Sequence, residues 1–248
     1  GLLGRLEAVG EFLSNGDIRA RVRERLSEVS DLERIATRLA TETARPHELV
    51  ALAVTAEALP GIAEAAGRLS GVRACEMAGR LDTLDDMRES VRAAMAEKPP
   101  ANPRDGGLIR AGYDDELDKL RSISRDGRQW IAQYQAREIE RTGIENLKVG
   151  YNRVFGYYIQ VTNVNRDKVP PNYVRKQTLK NAERYVTPEL REYESKVLSA
   201  QERAAELEYE IFRGIRRRLG AQAGRLQAVA AALAEIDVLS AFAEVAEY

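Results

Sequence analysis

The sequence predicts a mainly α fold, a helical bundle with two long helices that carry a small antiparallel β module. Three observations lead there. Only 6% of the 248 residues are aromatic while Ala, Leu, Arg and Glu abound, a helix-rich composition. Apolar residues recur at three- and four-residue steps along most of the chain. Alternation of apolar and polar residues runs from Leu147 to Thr162, inside one island of strands that ends near Thr187, and a period of two belongs to half-buried strands.

Taken in order, Leu32, Ile35 and Leu39 place a helix over Asp31 to Ala40, with Ser30 or Asp31 as its cap. A second helix runs from Glu48 to Leu59, after Pro46. Leu84, Met87, Val91 and Met95 share one face of a helix over Leu81 to Ala96 that stops before Pro99-Pro100. A polar loop follows, in which Gly106-Gly107 reads as a turn. Leu117, Leu120, Ser124, Gly127, Ile131 and Tyr134 then step by three and four, predicting one long helix over Tyr113 to Arg141. After the strands, Pro188 sits where a first helical turn accepts proline. Leu190, Tyr193, Val197, Ala200, Ala204, Leu207, Ile211 and Gly214 mark a second long helix. About 30 residues at ~1.5 Å each give roughly 45 Å, enough to hold the strands away from the bundle. Gly127 and Gly214 either soften these helices or let them approach closely. Leu226, Val229, Leu233, Ile236 and Ala243 mark a last helix that rejoins the core.

Within the strand module, Leu147, Val149 and Tyr151 alternate with Lys148, Gly150 and Asn152, and Phe155, Tyr157, Ile159 and Val161 with Gly156, Tyr158, Gln160 and Thr162. This predicts a hairpin turning at Asn152-Arg153, where Asn tolerates positive φ and Arg is free to reach outward. A second polar turn, Lys180-Asn181, separates Tyr173 to Leu179 from Arg184 to Thr187. From Asn146 to Val186 there are eight cations and two anions, +6 in a chain whose total is -1. So local an excess, interleaved with amides and aromatics, points to a surface that tracks phosphates; the alternative is a cationic edge that blocks strand aggregation.

Other classes are disfavoured. The carboxylates recur at helical spacing among Arg and Lys, as on solvated helix faces, and not as a paired-acid site. No G-x-x-x-x-G-K-S/T phosphate loop occurs. Cys75, the only cysteine, allows no internal disulfide and reads as a small core residue. His47 is the only histidine, which argues against zinc. No uninterrupted run of about 18 apolar residues and no secretory leader pattern is present, so the expectation is a cytoplasmic protein without membrane contact.

The segments LKVGYNRVFGYYIQVTN (147–163) and NYVRKQTLKNAERYVTPELREYESKVL (172–198) closely resemble the clamp of the bacterial MutS mismatch-repair family. DLERIATRLATETARPHEL (31–49), RDGGLIRAGYDDELDKLR (104–121) and AREIERTG (136–143) extend the resemblance over nearly the whole chain. It implies a helical core over 1–112, an outgoing lever helix over 113–143, a clamp over 144–187, a returning lever over 188–219 and a helix rejoining the core over 220–248. It implies non-sequence-specific clamping of double-stranded DNA through its backbone, first by Lys148, Asn152, Arg153, Lys180 and Asn181, then by Arg175, Lys176 and Arg184, with Gln177 as a neutral donor. For full-length members it implies an ATPase using ATP and Mg, a homodimer and association with the bacterial nucleoid. This chain itself is expected to be no enzyme and to hold no cofactor or metal. The rival reading is a helical interaction scaffold without DNA contact.

Overall fold

A computed structural model describes every residue except Arg153, Phe155 and Tyr248, together with the side chain of Arg128. The chain is 66% helical with one four-stranded antiparallel sheet. It divides into two compact units, residues 1–113 with 208–248, and residues 114–207.

The first unit contains α1 (Leu2–Ser14), α2 (Gly16–Leu26), α3 (Leu32–Ala40), α4 (Pro46–Ala66), α5 (Val72–Gly79), α6 (Asp85–Ala94) and α10 (Ala223–Ala246). Asp31 caps α3 by accepting from the Arg34 amide at 3.0 Å. α4 opens with Pro46 in its first turn and a buried Glu48 that accepts from the Arg45 amide and from Arg38, each at 2.8 Å. It extends past the expected end at Leu59, running through Pro60 to Ala66. An 18-residue stretch of α4 is apolar enough to cross a membrane, with mean hydropathy 1.5. Its Leu49, Leu52, Ala53, Ala56, Leu59 and Ile62 are fully buried in this unit, so here it serves as a core helix. Leu226, Val229, Leu233, Ile236 and Ala243 of α10 are buried as the periodicity required.

Three expectations are corrected. Cys75 lies on the exposed side of α5, with Sγ 3.6 Å from the Leu69 carbonyl oxygen; α5 buries Ala74 and Met77 instead. The helix expected from Leu81 begins only at Asp85, because Leu84 takes a left-handed φ of +54° ahead of it. The apolar seam of α9 (Pro188–Gly220) shifts by one residue after Ala204: Glu208, Phe212, Ile215 and Leu219 are buried, not Leu207, Ile211 and Gly214. Glu208 is accommodated because its carboxylate accepts from the Leu108 amide at 2.6 Å, just past the left-handed Gly106-Gly107 turn.

In the second unit the single helix expected over Tyr113 to Arg141 is two helices, α7 (Asp115–Arg125) and α8 (Gly127–Thr142), interrupted at Asp126. α7 is capped by Asp114, which accepts from the Leu117 amide at 2.9 Å. α8 ends on Gly143 at φ +66°, the left-handed stop that glycine permits. Four strands follow, β1 (Lys148–Asn152), β2 (Gly156–Thr162), β3 (Val174–Thr178) and β4 (Ala182–Val186), in the order β1-β2-β4-β3. A 3-10 helix, Asn163–Lys168, leaves β2. The inner face of the sheet contributes Ile159, Val161 and Tyr185 to a core closed by Tyr134 of α8, Ile144, Leu147, Tyr173 and Leu190. Trp130 stacks between Tyr134 (5.0 Å) and Tyr193 of α9 (3.6 Å).

Candidate nucleic-acid interface

Strand register brings together side chains that are far apart in sequence. Lys148 pairs with Gln160 across β1 and β2, Gln160 with Arg184 across β2 and β4, and Arg184 with Gln177 across β4 and β3. Directly paired residues share a face, so Lys148, Gln160, Arg184 and Gln177 form one row across the sheet, opposite the face that carries Ile159 and Tyr185. Arg184 donates to the Gln177 Oε1 at 2.9 Å and to the Gln160 Oε1 at 3.4 Å. Its guanidinium lies 4.2 Å from the centroid of the Tyr158 ring, a cation–π contact that fixes its plane. Each glutamine oxygen thereby accepts from Arg184, and Lys148, at the end of the row, is exposed. The row holds donors and no carboxylate, so it is chemically suited to oxyanions.

The two turns lie at opposite ends of the sheet. Thr162 pairs with Ala182, so the β3–β4 turn with Lys180 and Asn181 stands beside the end of β2, near Lys148. It is held there by Asn163, whose amide donates to the Asn181 carbonyl at 3.2 Å and whose side chain donates to the Lys180 carbonyl at 3.1 Å. Lys180 and Asn181 are exposed. Asn152 sits at the other end. It lies within the ladder opposite Gly156, not in the turn, and its Oδ1 accepts from the Val154 amide at 2.8 Å. Among the described residues of this hairpin the one with positive φ is Gly156, at +73°, and a Cβ there would collide with the Glu194 carboxylate of α9. β1 ends at Asn152 and β2 begins at Gly156, so Asn152 is not a turn residue, and Gly156 abuts α9. Arg153 lies outside the described residues.

Among the remaining candidates, Lys176 is exposed at a bulge between Arg175 and Gln177. Arg175 pairs with Glu183 at 3.4 Å. Glu183, only 4% exposed, also receives the Tyr185 hydroxyl and lies 3.6 Å from Arg166. The Tyr185 hydrogen bond, and then the two arginines, hold its carboxyl below the usual range, while burial pushes Tyr185 up to about 12. Lys148, Lys176 and Lys180 form no ion pair among the described residues.

Gln160 and Tyr158 were missed as site residues. The alternation had already put both on the strand face opposite Tyr157, Ile159 and Val161, but counting charge passes over neutral donors and aromatic supports.

The MutS family domain IV model matches residues 112–203, a segment that contains the whole sheet. Over 242 residues the chain is 51% identical to the DNA mismatch repair protein MutS of Symbiobacterium thermophilum and 47% identical to that of Desulforamulus reducens, covering 98% of this chain and 28% of each relative. The MutS of Methanothrix thermoacetophila is 48% identical over 237 residues, 95% of this chain and 28% of its own length. The chain belongs to the MutS family. It spans about 28% of the length of these MutS relatives. The donor row, the Lys180-Asn181 turn and the bulge at Lys176 all fall inside the part of MutS described as domain IV.

Proposed function

We propose that this chain binds the phosphate backbone of double-stranded DNA through the open face of its sheet, as part of a MutS mismatch-repair protein. The observation that carries the reading is the carboxylate-free row of donors from Lys148 to Gln177, with Lys180 and Asn181 exposed beside one end. Cations and amides aimed at phosphates set position and orientation without reading bases, so binding is indifferent to sequence and to mismatches. Lys148, Lys180, Asn181, Lys176, Gln177 and Arg184 carry the contact; Arg175 pairs with Tyr185 and so belongs to the opposite face of the sheet. Asn152 stands apart, at the far end of the sheet.

The reading extends to the whole protein. α7 with α8, and α9, act as levers between this clamp and an ATPase, in a cytoplasmic homodimer on bacterial DNA. ATP and Mg belong to that ATPase. The glycine pair Gly106-Gly107 does not fit them: it leads to an amide already bonded to the Glu208 carboxylate, and no Lys-Ser or Lys-Thr follows it. Exposed Leu2, Leu3, Leu6 and Phe242 on α1 and α10 favour, for the first unit alone, a second role in protein contact.

Titration of a labelled mixed-sequence duplex at several salt concentrations tests the DNA reading. We expect log K to fall linearly with log salt, by about 0.9 per phosphate neutralised. Lys148→Ala, Lys180→Ala and Arg184→Ala should each weaken matched and mismatched duplexes equally. A flat salt dependence, or a loss confined to mismatches, would contradict backbone contact, and self-association without DNA binding would favour the scaffold.

A further inference from the structure

The 3-10 helix Asn163–Lys168 carries none of the DNA contacts proposed above, yet several hydrogen bonds hold it against its neighbours. Asn163 ties it to the Lys180-Asn181 turn through two hydrogen bonds. The Asn165 side-chain Nδ2 donates to the Asn146 Oδ1 at 2.9 Å, and the Asn146 Nδ2 donates to the Thr162 Oγ1 at 3.0 Å. A segment fixed to both neighbouring elements keeps its side chains in place without help from a ligand.

Arg166 is the side chain so placed. Its Nε faces the buried Glu183 carboxylate at 3.6 Å, while Arg175 reaches the same carboxylate through Nη1 at 3.4 Å. Two guanidinium groups thus share one anion, and one positive charge is left over. Their side chains remain 60% and 54% exposed. A guanidinium carries five hydrogens in a rigid fork. Because Arg166 turns its Nε edge toward Glu183, its terminal nitrogens are left for a second oxyanion. A buried carboxylate that orients an arginine lowers the entropy lost when the arginine meets a phosphate.

We propose that the 3-10 helix is a further contact element for duplex DNA, with Arg166 binding a backbone phosphate beside the one met by Lys180, and with Glu183 as the residue that positions Arg166. This rests on the DNA reading above and adds to it a residue outside the donor row, anchored on Glu183, whose partner Val161 lies on the opposite face, at the end of the sheet that carries the Lys180-Asn181 turn.

The test uses the 248-residue chain and a labelled duplex, with affinity measured across a salt series for the wild type, Arg166→Ala, Arg166→Lys, Lys180→Ala, and Arg21→Ala as a control for loss of one exposed cation on α2. Circular dichroism confirms that each is folded. We expect Arg166→Ala to bind about tenfold more weakly, the worth of one charge-assisted hydrogen bond, and its salt slope to fall by about 0.9, as one lost phosphate contact requires. Arg166→Lys should recover the slope but not the full affinity, since lysine lacks the fork. Arg21→Ala should leave the slope unchanged. If Arg166→Ala matches Arg21→Ala while Lys180→Ala shows its loss, the inference is overturned and the DNA reading stands. If the wild-type chain binds no duplex at low salt, both are overturned.

Discussion

At the scale of single residues, glycines with similar sequence surroundings do different jobs. A Cβ on Gly220, the last residue of α9, would come within 2.5 Å of the Leu39 carbonyl oxygen, a backbone atom with little freedom to move. At Gly214 it would meet only the end of the Arg218 side chain, at 3.8 Å. We therefore expect Gly220→Ala to destabilise the protein by about 1–3 kcal/mol through overpacking. Gly214→Ala should stabilise it by up to about 1 kcal/mol through helix propensity. Thermal or urea unfolding of the two variants checks both signs. Gly127 lies between these cases, because its Cβ would meet the Tyr193 hydroxyl at 2.9 Å, the tip of a side chain. Close approach thus explains Gly127, whereas Gly214 has no steric reason to be glycine. The sequence placed both glycines on an apolar stripe, which holds for the buried Gly127 and not for Gly214, and it could not show what stands opposite them. The same limit hid Glu208, since a carboxylate in a buried seam is legible only once the amide that satisfies it is seen.

Elements with continuous periodicity were legible from sequence, and elements set by tertiary partners were not. α3, α10 and the hairpin strands follow directly from apolar spacing, and α6 does so apart from its start, which the left-handed Leu84 delays to Asp85. The break at Asp126, the tightly held 3-10 helix and the placement of the two turns depend on long-range pairing that no local window contains. For the sheet, a further prediction follows from its tyrosines. Burial pushes the Tyr134 hydroxyl up to about 12, although its bond to Thr187 (2.5 Å) opposes this. Burial likewise raises Tyr173, aided by its bond to Glu138 at 2.7 Å. Raised phenol values mean that the folded state keeps protons the unfolded chain would release near pH 10. Their stabilisation is complete below about pH 10 and is lost as pH rises toward 12. The second unit should therefore unfold cooperatively in that window, followed by the fluorescence of Trp130, the only tryptophan. At the acid side the sign reverses. Burial pushes the Glu138 carboxyl up, but Arg141 and Tyr173 outweigh it and hold the value below normal. That contribution is present above the ordinary carboxylate range near pH 4.5 and fades as pH falls through the lowered value.

For the molecule as a whole, charge is partitioned rather than balanced. The total is -1, yet residues 146–186 carry +6, so attraction to a polyanion is a property of the sheet region and not of net charge. A weakly acidic protein, with a pI near 6.1, should then bind DNA with a steep salt response. Neutralising the donor row by Lys148→Gln with Arg184→Gln should lower affinity by about tenfold or more at low salt, while two arginine replacements on α2 leave it within about twofold. Fluorescence anisotropy of a labelled duplex distinguishes the two. Part of this partition was legible, because counting cations along the chain located the region. The row itself was not, since it needs the β2–β4 register that places Arg184 between two glutamines 17 residues apart.

The exposed Cys75 and the stacked Trp130 have a practical consequence. Each is the only residue of its kind, and they fall in different compact units. A thiol-reactive acceptor on Cys75 would pair with the native indole as an energy-transfer couple, so the separation between the two labels can be followed optically in the unmutated chain, with and without an added duplex.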